Sequence, residues 1–192
     1  MQEHKDFWDK NAGRYDRFMR KDRAAYDEMY ELIRPVVRHK TVLELATGTG
    51  LIAKHIVNAA AHIEATDASA EMITEAKRDN QSAKLHFSVQ DMFCLPYADK
   101  SFDAVTAFET VYFWPDLPQC FREVYRVLKP GGTLLICNES NGDTDKDEKW
   151  TEIIGGMTIY KDAELKTYLE QAGFHDVQIH KKKSWLCITA RN

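Results

Sequence analysis

TVLELATGTGLIA, residues 41–53, decides the fold of this 192-residue chain. It begins as an apolar run of strand length, stops at a turn of small residues and continues with residues that favour a helix. Gly48 and Gly50 lie in the turn, where glycine can adopt positive φ and lets the backbone approach a ligand closely. The next helix offers free N–H groups to anionic or polar atoms. The stretch therefore predicts a strand, loop and helix that hold a nucleotide-type cofactor.

Acidic residues beside this loop narrow the choice of cofactor. Gly48, Gly50 and Ala53 also satisfy the GxGxxG/A pattern of dinucleotide folds, and Asp67 follows at the spacing of a ribose-binding acid. Glu44, however, lies inside a strand that would ordinarily carry Val or Ile there. Two acids suit a cationic amino-acid end and a ribose diol, which describes S-adenosylmethionine better than a dianionic pyrophosphate. On the pattern alone, NAD remains an alternative.

Four motifs follow one another along the chain: ELATGTG (44–50), DASAEM (67–72), QDM with LP and SFDAV (90–105), and REVYRVLKPGG (122–132). With these motifs the chain resembles the class I S-adenosylmethionine-dependent methyltransferases, specifically the small-molecule group called type 11, from about Phe7 to its end. The resemblance implies a Rossmann-like three-layer αβα sandwich. Its seven-stranded, mostly parallel sheet would have the order 3-2-1-4-5-7-6, with the last strand antiparallel.

Composition limits the partners of the chain. A net charge of -4 and a pI near 6.0 give no electrostatic footprint for nucleic acid or an anionic membrane. The apolar runs have strand length and the N-terminus is too polar for a signal peptide, so we expect a cytoplasmic protein. The four cysteines lack CxxC spacing, which predicts reduced thiols and no metal site. The oligomeric state stays open.

Strands and helices alternate from Thr41 onward, the pattern of a parallel sheet. We expect one domain over residues 1–192, with a helical cap over 1–40 and a cofactor-binding core over 41–192. Strands are predicted near 41–46, 62–66, 84–88, 102–108, 132–138, 175–181 and 184–190. Helices are predicted near 51–60, 69–80, 116–128 and 161–172. An irregular polar segment is expected at 141–149.

The resemblance implies the cofactor contacts. Asp67 would hold both ribose hydroxyls, although an Asp there can also cap the next helix. Asp91 would bind the adenine amino group and the Met92 N–H a ring nitrogen, although Asp91 can also form a turn. Tyr15 would close over the methionine end. The expected cofactor-binding residues are Tyr15, Glu44, Ala46, Thr47, Gly48, Thr49, Gly50, Asp67, Ala68, Met72, Gln90, Asp91, Met92 and Phe108.

The sequence says less about the residues at the reacting centre than about those that bind the cofactor. Residues 107–115 lack the Asn/Asp-Pro-Pro-Tyr/Phe motif of enzymes that methylate nucleobases or glutamine, which favours another small acceptor. Glu109 is the nearest carboxylate and could accept a proton, or it could be a loop acid or a partner of the cofactor ammonium. Without a base, a thiol, amine or other soft nucleophile is the better acceptor. The expected catalytic residues are Glu109 and Tyr112.

Aromatic residues could wall an apolar acceptor pocket, although such side chains can equally pack in the core. The expected pocket residues are Trp8, Tyr112, Phe113, Trp114, Met157 and Tyr160. The sequence thus predicts a methyltransferase that acts on a small, partly apolar acceptor by in-line displacement. An NAD(P)-dependent oxidoreductase and a non-catalytic S-adenosylmethionine-binding protein remain as alternatives.

Overall fold

A seven-stranded sheet forms the centre of the protein. The structure, a computed structural model, describes residues 8–10, 12–13, 23–78, 80–114, 116–139, 151, 157–182 and 185–192. Its strands are β1 (Thr41–Leu45), β2 (His62–Asp67), β3 (Leu85–Val89), β4 (Phe102–Phe108), β5 (Leu128–Asn138), β6 (His175–Lys182) and β7 (Trp185–Arg191). Two predicted features, Tyr15 and the segment 141–149, lie outside the described residues.

The strand order is β3-β2-β1-β4-β5-β7-β6. The four strand pairs from β3 to β5 in this order (β3–β2, β2–β1, β1–β4 and β4–β5) are all parallel. β7 runs antiparallel to both of its neighbours, β5 and β6. This confirms the order and the antiparallel last strand that the resemblance implies. Because the carboxyl ends of β1, β2, β3 and β4 meet at one edge of the sheet, ligand-binding loops are expected to gather there.

Helices cover both faces of the sheet. They are α1 (Arg23–Val37), α2 (Leu51–Ile56), α3 (Ala70–Arg78), α4 (Leu117–Val127) and α5 (Asp162–Gln171). The first three pack on one face, where Ile33, Ile56 and Ala76 join a single apolar cluster with strand residues. The other two pack on the opposite face around Phe121 and Leu165. The result is the predicted three-layer αβα sandwich.

Two element boundaries differ from the prediction. β5 begins at Leu128 and not near 132, because a shift in register between Phe102 and Ala104 of β4 lets pairing start before Gly131. α2 ends at Ile56 and not near 60. The Ala59 carbonyl accepts a hydrogen bond from His39 N at 2.8 Å, so this residue belongs to a turn and not to the helix.

The N-terminal region reaches the ligand-binding edge at two places. Residues 8–10 and 12–13 are helical, and the Trp8 ring contacts Phe113 just after β4. α1 lies along one face of the sheet, and its first turns bring Tyr26 to a cavity beside Glu44. None of the helices in the described ranges is long and apolar enough to cross a membrane.

Candidate cofactor and active site

The loop after β1 adopts the left-handed backbone that its glycines predict. Gly48 has φ 57° and Gly50 has φ 74°. Ala46 shares this conformation, with φ 49°, although its Cβ makes it less suited than glycine. A Cβ at Gly50 would lie 2.4 Å from the Phe87 ring, so this glycine is required for packing as well as for its backbone angle.

Glu44 points from the buried strand β1 into a cavity beneath the loop. The residue is only 1% exposed, and its Oε1 accepts a hydrogen bond of 2.6 Å from the Thr47 hydroxyl. Its Oε2 has no hydrogen-bond partner of normal geometry within the described ranges. Burial raises the pKa of Glu44 to about 7, against the opposing effects of the Thr47 hydroxyl and the Ala53 N–H.

The cavity joins the loop to the end of β4. The described residues that line it are Tyr26, Glu44, Ala46, Thr47, Gly48, Leu51, Ile52, Phe108 and Glu109. A buried carboxylate oxygen without a donor is costly unless a ligand supplies one. The cavity therefore fits the ammonium group of an amino-acid ligand.

Asp67 is the last residue of β2, and its carboxylate is hydrogen-bonded to the loop after β1. Its Oδ2 accepts from Gly48 N at 2.8 Å and its Oδ1 accepts from Ser69 N at 2.9 Å. Burial raises its pKa, and the hydrogen bonds from Ser69 and Gly48 oppose this effect. The helix cap belongs to Ser69, whose hydroxyl oxygen accepts from Met72 N at 3.0 Å. A carboxylate has about four acceptor positions, so Asp67 keeps capacity for a ligand hydroxyl beside these hydrogen bonds.

The loop after β3 lies beside Asp67. Gln90 N donates to the Asp67 carbonyl at 2.9 Å. Asp91 is exposed and forms a turn, because its Oδ1 accepts from Phe93 N at 2.9 Å. Met92 is half-buried against the α4 side of the core. The structure thus shows the turn-forming role of Asp91, and its adenine contact remains a proposal.

Glu109 follows β4 in a left-handed conformation, with φ 54°. Its Oε1 accepts from the Glu139 N–H, and its Oε2 accepts a long hydrogen bond of 3.4 Å from the Tyr112 hydroxyl. Although part of the residue is exposed, removal of its carboxyl group from water raises its pKa to about 8. The Glu139 N–H opposes this rise, and the Glu139 charge adds to it.

Several predicted pocket aromatics contact one another after β4, and Tyr112 among them reaches the Glu109 carboxyl group. Trp8 and Tyr112 each meet Phe113 edge to face, with ring centroids 5.5 Å and 6.0 Å apart. Thr158 N donates to the Tyr112 carbonyl at 2.9 Å, which brings the segment with Met157 and Tyr160 to the same region.

Trp114 has a different environment. It is 3% exposed, and its ring packs against Phe121 with centroids 5.8 Å apart. Its Nε1 donates to Thr110 Oγ1 at 3.2 Å. Trp114 therefore packs in the core, which was the alternative that its sequence context left open.

The structure brings only part of the predicted site into one cavity. The predicted site residues that line this cavity are Glu44, Ala46, Thr47, Gly48, Phe108 and Glu109. Three other predicted cofactor-binding residues do not line the cavity. Thr49 is buried in the loop, Ala68 is exposed after β2, and Met72 is buried on α3. Tyr26, which also lines the cavity, carries no sequence signal beyond its place in an amphipathic helix.

Comparison with known proteins decides between the two cofactors left open by the loop. The model of the methyltransferase domain family matches residues 43–136, which run from β1 through most of β5. The chain belongs to the class I S-adenosylmethionine-dependent methyltransferases. Its cofactor is S-adenosylmethionine, and the orphaned Glu44 Oε2 fits the ammonium group of this molecule. The dinucleotide alternative is not favoured.

Relatives of this chain differ in length. The ubiquinone/menaquinone biosynthesis C-methyltransferase UbiE of Bartonella henselae is 37% identical over 114 residues, or 56% of this chain and 44% of that enzyme. The demethylmenaquinone methyltransferase of Porphyromonas gingivalis is 29% identical over 180 residues, or 84% of this chain and 73% of that enzyme. The chain spans less than half the length of several curated relatives, between 37% and 44%.

A solved structure matches nearly the whole length of this chain. The DhpI–SAH complex superposes with a TM-score of 0.81 at 26% identity, and the match covers 99% of this chain and 95% of that one.

Proposed function

We propose that this protein transfers the methyl group of S-adenosylmethionine to a small, partly apolar acceptor. The observation that carries this proposal is a single cavity. It is lined on one side by the glycine loop and Glu44, and on the other by Phe108 and Glu109. A cofactor held by the loop would therefore place its reacting end next to a carboxyl group that can accept a proton.

Four places on the chain would hold the cofactor. Glu44 would accept a hydrogen bond from the ammonium group, and the Gly48 backbone would line the methionine end. Asp67 would bind the ribose hydroxyls with the acceptor capacity that it keeps beside its own hydrogen bonds. The adenine would lie near Asp91 and Met92, since Gln90 is hydrogen-bonded to Asp67.

The chemistry requires positioning and exclusion of water more than it requires reactive side chains. When bound, S-adenosylmethionine supplies an electrophilic methyl group for in-line displacement. Trp8 and Tyr112, whose rings each contact Phe113, would shield the acceptor from water together with it. Glu109 would take the proton of an acceptor O–H or N–H group, because a raised pKa makes its carboxylate a stronger base.

The test is a methyl-transfer assay with isotope-labelled S-adenosylmethionine and panels of phenols, amines and thiols. For an acceptor that must lose a proton, we expect kcat to rise with pH up to about pH 8, where Glu109 ionises. Glu109→Gln should remove this rise and lower kcat by about 10²–10⁴-fold. The control is Glu170→Gln, an exposed acid on α5.

One result would contradict methyl transfer, and another would contradict the role proposed for Glu109. Cofactor binding without transfer to any member of the panels would favour a non-catalytic binding protein. Transfer that Glu109→Gln leaves unchanged would remove Glu109 from catalysis and would favour a soft nucleophile such as a thiol.

A further inference from the structure

The connection between β3 and β4 contains no helix. Residues 90–101 join these two strands through turns and irregular backbone. Parallel strands are usually connected by an α-helix, which fixes its own shape through internal hydrogen bonds. This connection instead depends on hydrogen bonds to other elements. It includes the turn with Asp91 and Met92, where the proposed function places the adenine, so whatever holds the connection also holds that turn.

One guanidinium group on α4 holds this connection. All five N–H groups of Arg126 donate hydrogen bonds. Its Nη2 donates to the Leu95 carbonyl at 3.1 Å, and its Nη1 donates to the Tyr97 carbonyl at 2.8 Å. Nη1 also donates to Asp99 Oδ1 at 2.8 Å. The guanidinium thus binds three residues of the connection.

Glu123, one helical turn before Arg126, completes the contact with Leu95. Its carboxylate accepts from Arg126 Nε at 2.9 Å and from Nη2 at 2.7 Å. The Oε1 atom of Glu123 also accepts from Leu95 N at 2.8 Å. Leu95 is 4% exposed, and both of its backbone polar groups are bound by this one ion pair. The position of Leu95 therefore depends on Arg126.

The turn that carries Asp91 is fixed at both of its ends. On one side, Gln90 N donates to the Asp67 carbonyl at 2.9 Å. On the other side, Cys94 N donates to the Asp91 carbonyl at 3.1 Å and closes the turn directly before Leu95. Since no helix stiffens this stretch, a shift of Leu95 also shifts the Asp91 carboxylate.

We infer that Arg126 positions the adenine of S-adenosylmethionine by fixing Leu95 and, through it, the turn with Asp91 and Met92. This inference rests on the proposed function. Arg126 is a positioning residue and not a catalytic one, because it acts through the backbone of the turn. Hydrogen bonds weaken steeply as their distance and angle depart from the optimum, so a displaced turn binds the adenine edge less well.

Two ligands that differ only in their base separate positioning from general support of the fold. S-inosylhomocysteine carries an oxygen in place of the adenine amino group and a proton on the adjacent ring nitrogen. It therefore offers Asp91 an acceptor and the Met92 N–H a donor, and both proposed contacts are lost. If Arg126 only supported the fold, its removal would reduce the competent fraction of the protein and weaken both ligands by the same factor. If it positions the adenine, only S-adenosylhomocysteine is weakened.

The experiment is isothermal titration of the 192-residue chain and its variants with each ligand. The wild type should bind S-adenosylhomocysteine about 10–100-fold more tightly than S-inosylhomocysteine, the range for hydrogen bonds that involve a charged group. Arg126→Ala should lower this preference about tenfold. Its affinity for S-inosylhomocysteine should stay within about threefold of the wild-type value. Arg122→Ala is the matched control, because Arg122 is an exposed arginine one turn earlier on α4, and it should keep the full preference.

Two further variants keep the test decisive. Arg126→Lys retains the positive charge and the apolar stem, so it answers the question if Arg126→Ala does not fold. It should lose most of the preference, because a single ammonium group cannot bind the carboxylate and the backbone carbonyls together. Glu123→Ala should lower the preference as well. In an Arg126→Ala background it should add little, because both residues act through Leu95.

The inference is overturned if a folded Arg126→Ala or Arg126→Lys variant keeps the wild-type preference, or loses affinity for both ligands equally. It is also overturned if the wild type binds both ligands equally well, because no contact then recognises the adenine edge. In each of these cases, binding of S-adenosylhomocysteine by the wild type leaves the proposed function intact. If the wild type does not bind S-adenosylhomocysteine, the proposed function and the inference fall together.

Discussion

Glu44 occupies a strand position that would ordinarily be apolar, and the consequence of burying its carboxyl group is visible in its pKa of about 7. Near neutral pH this group therefore exchanges between its protonated and ionised forms. A cofactor ammonium placed beside Oε2 would favour the ionised form. The residue thus links cofactor binding to proton release.

We expect S-adenosylhomocysteine binding at pH 7 to release a measurable fraction of a proton from Glu44. Calorimetry in buffers with different ionisation enthalpies measures this number directly. Glu44→Gln should abolish the release, whereas Glu109→Gln should retain the part that Glu44 contributes. Equal proton release by Glu44→Gln and the wild type would show that the ammonium group does not bind there.

Ala46 gives a second prediction for a single residue. Its φ of 49° is strained for a residue with a Cβ, by roughly 1–2 kcal/mol. Glycine relieves this strain but makes the unfolded chain more flexible. We therefore expect Ala46→Gly to leave the free energy of unfolding unchanged or to raise it by up to about 1 kcal/mol. Ala163→Gly, in the regular helix α5, should lower it. Equal losses in the two variants would contradict this account.

At the scale of elements, α2 is positioned by the contact between Gly50 and Phe87 of β3. Gly50 and Gly131 have nearly the same backbone angle, with φ 74° and 75°, but only Gly50 faces a neighbour within 4 Å. Gly131→Ala should therefore cost only backbone strain, about 1 kcal/mol. Gly50→Ala should cost about 1–3 kcal/mol more, because the Phe87 ring must move. Denaturant unfolding measures both, and equal losses would show that the Phe87 contact does not constrain α2.

The order of the elements was predictable because each strand and helix of the core carries its own local pattern. The loop glycines, the four motifs and the alternating apolar runs marked most elements in the right order. The start of β5 was not predictable, because pairing of Leu128 with Phe102 depends on an irregular register between two strands. Pro130 and Gly131 are residues typical of a loop, but pairing with β4 makes them part of the strand β5.

The candidate site was likewise predictable where a local motif marks a residue, and not where a contact joins distant parts of the chain. Gly48 and Asp67 were identified from motifs, and the structure joins them by a hydrogen bond. The contact of Asp9 with Ser69 links residues 60 positions apart, and no local pattern in the sequence predicts it. The core packing of Trp114 likewise depends on Phe121 of α4, because an aromatic run has the same appearance in a pocket and in a core.

At the scale of the whole molecule, the two raised carboxyl groups predict how stability depends on pH. The pKa values of Glu44 and Glu109 are raised in the folded protein to about 7 and about 8, from an ordinary value of 4.5 for a glutamate carboxyl group in water. Stabilisation by these protons is complete below about pH 4.5 and is lost as the pH rises through the folded values. Both groups therefore make the free energy of unfolding of the cofactor-free protein fall between pH 5 and 8.

Chemical denaturation at pH 5.5 and pH 8.5 measures this fall. Glu109→Gln should reduce the difference by an amount on the order of a few kcal/mol, because glutamine does not ionise. Asp103 is a control of opposite sign, since its hydrogen bond to Lys129 lowers its pKa. Asp103→Asn should change stability mainly above its unfolded pKa and leave the slope between pH 5.5 and 8.5 as in the wild type. An unchanged slope in Glu109→Gln would contradict the burial assigned to this carboxyl group.

The central claim, that the loop after β1 binds S-adenosylmethionine, is tested most directly by isothermal titration. The protein is titrated in parallel with S-adenosylmethionine, S-adenosylhomocysteine and NADH, beside Asp67→Ala. We predict saturable binding of the first two ligands, no binding of NADH, and an affinity about 10–100-fold lower in Asp67→Ala through loss of hydrogen bonds to a charged group. Binding of NADH alone, or full affinity in a folded Asp67→Ala variant, would contradict the account.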